Sequence, residues 1–220
     1  QYAMQIIISF LFIAMMFIFL PRAAVSMGRV GEILKKEISI TDKENTQEIR
    51  EKRGIVEFKN VSFRYADAED AVLSDISFTA KPGETTAFIG STGSGKTTLV
   101  NLIPRFFDVT EGSITIDGVD IRDMKQHELR EMIGYVPQKG MLFSGDIKSN
   151  IAYGAEDKSF ENIKRAAEVA QAEDFIMEKE EGFDAPVAQG GTNVSGGQKQ
   201  RLSIARAIAK KPEIFIFDDS

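Results

Sequence analysis

Eight consecutive residues, Gly90-Ser91-Thr92-Gly93-Ser94-Gly95-Lys96-Thr97, constrain this chain more than anything else in it, because they match the spacing G-x-x-x-x-G-K-[ST] in full. Gly90, Gly93 and Gly95 fall so close together that no regular helix or strand suits the run, so it must be a loop. The apolar run Thr86–Ile89 leads in and the helix-forming run Thr97–Ile103 leads out. A strand, a glycine-rich loop and a helix in that order build a phosphate cradle on a parallel α/β sheet. The glycines let the backbone of Gly90 to Gly95 wrap phosphates closely, and its N–H groups, with the positive end of the following helix, hold their charge. Lys96 is placed to reach the β- and γ-phosphates, and the Thr97 hydroxyl to bind Mg²⁺, with Thr98 beside it.

A second element completes that site. Ile214–Phe217 is apolar and ends in Asp218-Asp219. Open α/β sheets bind ligands at the carboxyl ends of their strands, so a carboxylate at 218 is positioned to hold the metal. Fully apolar runs such as Thr86–Ile89 and Ile214–Phe217 fit central strands covered on both faces. Val56–Phe63 alternates at period two, as a half-exposed antiparallel strand does, and Ile76–Phe78 reads the same way. Ser113–Ile121 reads as a hairpin turning at Asp117-Gly118, which makes Asp117 a turn residue without chemical duty. Helices are expected over Lys96–Ile103, Glu161–Ala170 and Gly197–Ala209. The fold class is α/β around a parallel core, with an antiparallel part in the first third.

The amino-terminal end differs in kind. From Ala3 to Leu20 only Gln5 and Ser9 interrupt an apolar run. Crossing a bilayer takes about 20 such residues, so the run is expected to be part of a transmembrane helix. Arg22, Arg29, Lys35 and Lys36 follow it and place that side in the cytoplasm. An amphipathic helical stretch continues past Pro21 through Val25, Val30, Ile33 and Leu34. Residues 36–53 are charged and poor in large apolar groups, as a linker is, and a globular domain begins at about residue 54. The expected division is 1–35 membrane segment, 36–53 linker and 54–220 globular domain. The chain begins at Gln1 inside the apolar run and stops at Ser220 directly after Asp219, so both ends are expected to be cuts in a longer protein.

Composition removes several alternatives. With 33 acidic against 27 basic side chains the net charge is −6, which argues against nucleic acid as a partner. The absence of cysteine excludes disulfides, thiolate metal sites and a cysteine nucleophile. The single histidine, His127, lies in a polar stretch and is expected at the surface.

Ser195-Gly196-Gly197-Gln198-Lys199-Gln200-Arg201 narrows the reading further. It resembles the signature sequence of ATP-binding cassette proteins, at the distance before Asp218 that the family requires. The resemblance covers residues 54–220. It implies a P-loop NTPase core with an antiparallel β-subdomain and an α-helical signature subdomain, preceded by a partial transmembrane helix. ATP and Mg²⁺ are the implied ligands. Tyr65 matches the aromatic position that stacks on adenine. Gln138, in Tyr135-Val136-Pro137-Gln138, matches the glutamine that touches Mg²⁺ and the attacking water and senses the transmembrane domain. Gly190-Gly191-Thr192-Asn193 matches an exporter loop that contacts the partner's transmembrane domain. Ser195, Gly196, Gly197 and Gln198 would close on the ATP of a second subunit in a head-to-tail dimer. A helix starting there offers unpaired N–H groups and a positive dipole, and Ser195 also suits an N-cap. The apolar segment fused ahead of the domain resembles the last transmembrane helix of exporters.

One position departs from the pattern. The family's general base is a glutamate directly after the metal-binding aspartate, and here that residue is Asp219. Aspartate withdraws the carboxylate by about 1.5 Å, one bond length, and a displacement near 1 Å costs about 10²-fold in rate. The expectation is a site that binds ATP well and hydrolyses it slowly, with Asp219 and Gln138 as the catalytic pair. An intact signature beside an impaired base points to a partner half-transporter of different sequence, favoured over a homodimer in which Asp219 still works. A nucleotide-gated regulatory module with little hydrolysis is the alternative from another class. The transported substrate is not encoded in these residues.

Overall fold

The structure, a computed structural model, describes residues 2–219; the chain ends at Gln1 and Ser220 lie outside the described residues. The chain divides into two compact units, one running through Thr41 and the other beginning at Asp42.

The first unit is dominated by one helix, α1 (Tyr2–Leu34), in which no side chain is buried within the protein. Its length and composition suffice to cross a membrane. Pro21 lies inside it. Ser9 donates its hydroxyl to the Gln5 carbonyl at 2.8 Å, so one of the two polar interruptions is satisfied by the helix's own backbone.

The second unit opens with an antiparallel sheet of β1 (Val56–Phe63), β2 (Leu73–Ala80), β3 (Glu111–Ile116) and β4 (Val119–Asp120), in the order β2-β1-β3-β4. Val56, Phe58, Val61 and Phe63 are buried. The change of phase between 58 and 61 is a bulge, where both neighbouring strands shift register and Asn60 takes φ 47°. Gly112 faces it, with φ +78°, and a Cβ there would stand 2.3 Å from the carbonyl oxygens of Lys59 and Asn60. The hairpin turns at Asp117-Gly118 as expected, both at positive φ. Asp117 does more than turn the chain, however. Its carboxylate accepts N–H bonds from Arg53, Gly54 and Ile55 at 3.0, 3.1 and 3.0 Å, clasping the segment that leads into β1.

Two further strands, β5 (Ile133–Val136) and β8 (Ile214–Phe217), pair in parallel. The expected strand at Thr86–Ile89 does not form. A strand exists only by its ladder, and this segment makes none with β8; an open groove lined by Phe78, Ala80, Val100, Ile214 and Ile216 lies between them. Ile89 is 97% exposed, and Phe215 and Phe217 are about half exposed at 46% and 50%, so the two-sided burial expected of both runs is not reached. α2 (Lys96–Leu102) and α3 (Gln126–Glu131) pack with this part. Leu99, Leu102, Leu129, Ile114, Ile116 and Ile216 share one core with β1. His127 on α3 is exposed and pairs with Glu131 at 3.0 Å.

A separate core forms around β6 (Gly145–Asp146), α4 (Ile147–Ile151), α5 (Phe160–Val169), α6 (Glu173–Met177), β7 (Pro186–Val187) and α7 (Gly196–Ala209). Arg206 of α7 binds its lobe together, donating to Asn150 O, Asn150 Oδ1 and Met141 O, each at 2.9 Å. The segment leading to β1 is also fastened. Asp42 accepts from the backbone and side chain of Gln126 at 3.1 and 2.9 Å, bonds that hold its carboxyl below the usual range. Lys43 pairs with Asp123.

Candidate nucleotide site

The loop Gly90–Gly95 owes its shape to its glycines. Gly93 and Gly95 sit at φ +83° and +89°, and a Cβ on Gly90 would stand 2.5 Å from Ser94 Oγ. Gly95 is the residue before α2, which has no side-chain cap, so the helix's first N–H groups have no side chain to satisfy them. Lys96 Nζ donates to the carbonyls of Gly90 and Ser91 at 2.9 and 3.0 Å, lying back along its own loop.

Asp218 is brought to the helix across 121 positions of sequence, where its Oδ1 accepts the Thr97 hydroxyl at 2.9 Å. It is 6% exposed, and its N–H extends the β5–β8 ladder by donating to Val136 O at 3.0 Å. Beside it, Gln138 Nε2 donates to Asp219 Oδ2 at 3.4 Å. Asp219 takes φ 47°. Thus Thr97 and Asp218 meet, as do Gln138 and Asp219. Hydroxyl, carboxylate and amide oxygens are the hard donors that Mg²⁺ prefers, so this set fits that ion. Tyr135 on β5 donates to Asn101 Oδ1 of α2 at 2.8 Å. Burial, with the charge of Asp218 added, pushes its phenol above the ordinary value.

Tyr65 is held at the same end of α2, one residue past Thr97. Its hydroxyl shares a 3.0 Å hydrogen bond with Thr98 Oγ1. Its ring packs nearly perpendicular to Phe63 and Phe107, with centroids 4.8 and 5.3 Å away. Neither Phe63 nor Phe107 is singled out by sequence; the Phe63-x-Tyr65 spacing is the available signal.

Ser195 caps α7 in a reciprocal box: its hydroxyl accepts from Gln198 N at 3.3 Å, while Ser195 N donates to Gln198 Oε1 at 3.1 Å. That box uses two of the N-terminal N–H groups, and Gly196 and Gly197 lie in the turn it caps. A Cβ on either glycine would meet nothing within 4 Å, so no neighbour within the chain demands glycine there. The segment 190–193 is anchored from behind. Lys199 Nζ donates to Gly190 O at 3.0 Å, and Asn193 bridges Ala188 N and Pro186 O at 2.9 and 2.8 Å. Thr192 stays exposed. The Gln138 loop leans on the same helix: Gln200 Nε2 donates to Pro137 O at 3.2 Å, and a Cβ on Gly140 would lie 2.8 Å from Lys199 O. The signature helix and the P-loop helix α2 belong to different cores.

A glycine loop opening α2, a buried carboxylate at a strand end and a capped glycine pair on a second lobe define a mixed α/β domain of the P-loop type. Residues 73–220 match the family model described as ABC transporter, and the chain belongs to that family. It is 46% identical over 91% of its length to YgaD of Bacillus subtilis strain 168, provisionally named a multidrug export ATP-binding/permease protein, covering 35% of that protein. It is also 46% identical over 96% of its length to YfiB of the same strain, an uncharacterized ABC transporter ATP-binding protein, covering 36% of it. Among solved structures, a bacterial Atm1-family ABC exporter with ATP bound superposes with a TM-score of 0.81 at 36% identity, over 91% of this chain and 35% of that one. The chain therefore spans about a third of the length of these relatives.

Proposed function

We propose that this chain is the ATP-binding end of a membrane exporter: α1 belongs to its transmembrane part, and the domain beyond the linker is cytoplasmic and binds Mg-ATP at Gly90–Thr98. The single observation that carries the reading is the 2.9 Å bond between Thr97 and the buried Asp218. It sets the P-loop threonine beside a buried carboxylate 121 residues away, placing two oxygen donors of the kind Mg²⁺ prefers together at the phosphate loop. Lys96 and the loop N–H groups would take the phosphates, and Tyr65 the base. Thr97 and Asp218, with Gln138, would hold Mg²⁺, which would supply positive charge against the phosphates. Gln138 and Asp219 would orient and deprotonate the attacking water. The names of the relatives favour multidrug-type export, and the substrate itself follows from helices outside this chain.

A carboxylate one bond short makes Asp219 a poor base at this P-loop, while Ser195–Gln198 remain fit to serve an opposed subunit's nucleotide. We therefore assign the chain to a heterodimer, in which the partner carries the stronger base. The same shortness favours one other reading, a nucleotide-gated regulatory subunit with almost no hydrolysis. The test is Mg-ATP binding and turnover on the membrane-embedded protein and two variants. Lys96→Ala is expected to abolish ATP binding. Asp219→Glu is expected to raise turnover at this site by at least about tenfold, given about 10²-fold for a 1 Å misplacement. Binding that survives Lys96→Ala refutes the site. Turnover unmoved by Asp219→Glu refutes the short base as the limit, and with it the ground for both the heterodimer and the regulatory reading.

A further inference from the structure

Among the described residues, two side-chain hydrogen bonds tie α2 to the parallel strands. One joins Thr97 to Asp218 at 2.9 Å, just beyond the carboxyl end of β8. The other comes from Tyr135 on β5, whose hydroxyl donates to Asn101 Oδ1 at 2.8 Å. Asn101 lies four residues after Thr97 on α2, which puts it on the same face and about 6 Å further along the axis. Tyr135 lies beside Ile216 in the β5–β8 ladder and three residues ahead of Gln138. A helix fixed at one point can still tilt, and a second bond one turn away removes that freedom. The Tyr135 ring is itself braced. Phe106 stands edge-on to it at 5.6 Å and 76°, and Phe106 N donates to Asn101 O at 3.2 Å. We infer that Tyr135 and Asn101 are positioning residues for the metal donors: their bond fixes Thr97, on α2, against Asp218 and Gln138, at the ends of the two strands.

The inference rests on the reading that this site binds Mg-ATP, and it deepens that reading. The phosphate groups and the metal donors are built differently. Lys96 and the loop N–H groups belong to one continuous piece, with Lys96 lying back on the carbonyls of Gly90 and Ser91. A tilt of α2 carries that piece along whole. The metal donors come from two pieces, Thr97 from α2 and Asp218 with Gln138 from the strands, so the same tilt spreads them. Donors held in place in advance bind more tightly, because they are not ordered at the moment of binding. Tyr135 remains a donor at neutral pH, since burial, with the charge of Asp218, raises its phenol above the ordinary value. Asn101 Oδ1 can only accept.

Calorimetry on the solubilised full-length protein measures ATP affinity in EDTA and again in saturating Mg²⁺. The gain between the two reports on the metal donors. Tyr135→Phe and Asn101→Leu each remove the bond. One hydrogen bond corresponds to about fivefold in affinity, so each variant is expected to cut the Mg²⁺ gain about fivefold and to leave affinity in EDTA unchanged. The double variant should lose no more than either, because the two share one interaction. Asn101→Asp, which keeps an acceptor oxygen in the same place, should recover the gain. It carries the test with Tyr135→Phe if Asn101→Leu does not fold. The inference is overturned if the gain is unchanged in Tyr135→Phe, if Asn101→Asp fails to recover it, or if the two losses multiply. A fall in EDTA by the same factor as in Mg²⁺ overturns it too, since a merely loosened fold would do that. An unmodified protein that binds ATP no better with Mg²⁺ than without it would instead sink the metal assignment beneath the inference.

Discussion

Asp117 sits in a turn whose Asp-Gly pair is readable in one glance at the sequence, yet its main work is invisible there. Three successive backbone N–H groups, from Arg53, Gly54 and Ile55, converge on one carboxylate more than sixty residues away. Nothing local in Lys52-Arg53-Gly54-Ile55 announces that its N–H groups need an outside acceptor. Removing the carboxylate leaves those donors to water or unmade, at about 1–3 kcal/mol. Asp117→Ala is therefore expected to lower stability in urea unfolding by about that much, without changing Mg-ATP affinity. The contrast with the P-loop is instructive. Gly90 to Thr97 can be read directly because each requirement is met within eight residues, whereas the Tyr65–Thr98 bond and the Asp117 clasp depend on where distant segments land. Tyr65 could be matched by family resemblance; which hydroxyl holds it could not.

At the scale of elements, strands defined by a regular half-buried face were legible, while of the two runs defined only by apolar content Ile214–Phe217 formed β8 and Thr86–Ile89 formed no strand. β1 follows its alternation except at the bulge, and there the sequence carried a clue in Gly112. Its positive φ and the 2.3 Å approach of two carbonyl oxygens leave no room for a methyl group. Gly112→Ala must push β3 off the bulge of β1, and is expected to cost at least about 3 kcal/mol, the scale of strained backbone plus a broken ladder. A bulge that tolerates alanine with under about 1 kcal/mol of loss, below the usual strain cost, would show that the strands can part there freely. Thr86–Ile89 failed for the opposite reason: apolar content says a segment wants cover but names no partner.

The helical lobe has its own electrostatic fastening. Asp157, just ahead of α5, is held down to about 2 by its bonds to Ser159 and then to Lys211 beyond α7. A carboxyl depressed on folding stabilises the fold in full above its unfolded value of 3.8, and the contribution drains away as pH falls from there through about 2. The stability difference between the unmodified protein and Asp157→Asn is thus expected to be constant from neutral pH to about 5 and to vanish near pH 2, one to two units on either side of the ordinary carboxyl value. A difference that stays flat through that window would mean the bonds to Asp157 add nothing in solution.

On the scale of the whole molecule, the division into two cores bears on the proposed completion of the nucleotide site by a second subunit. The P-loop and Asp218 stand on the core of β1, α2 and β8, while the signature turn stands on the core of α4, α5 and α7. Gly196 and Gly197 have empty space where a side chain would go, and the Ser195–Gln198 box already caps the helix without them. Helix energetics alone would favour other residues at both positions, by up to about 1 kcal/mol each. Glycine there is a cost to the isolated domain that only an approaching body can justify. An anionic one gains most, since it meets N–H groups and the positive end of a fourteen-residue helix. Gly197→Ala puts a methyl group into that space, with nothing of the chain within 4 Å of it. Its melting temperature is expected not to fall, and its own Mg-ATP affinity to stay unchanged. ATP-driven association with its partner subunit should fall at least tenfold in size-exclusion chromatography, the scale of one tight phosphate interaction at a helix terminus, about 1.4 kcal/mol or more. ATPase turnover of the assembled pair should fall with it. If the variant instead associates and turns over normally, the signature turn does not face the opposed nucleotide; if its own ATP affinity drops while association persists, the turn serves this chain's own P-loop.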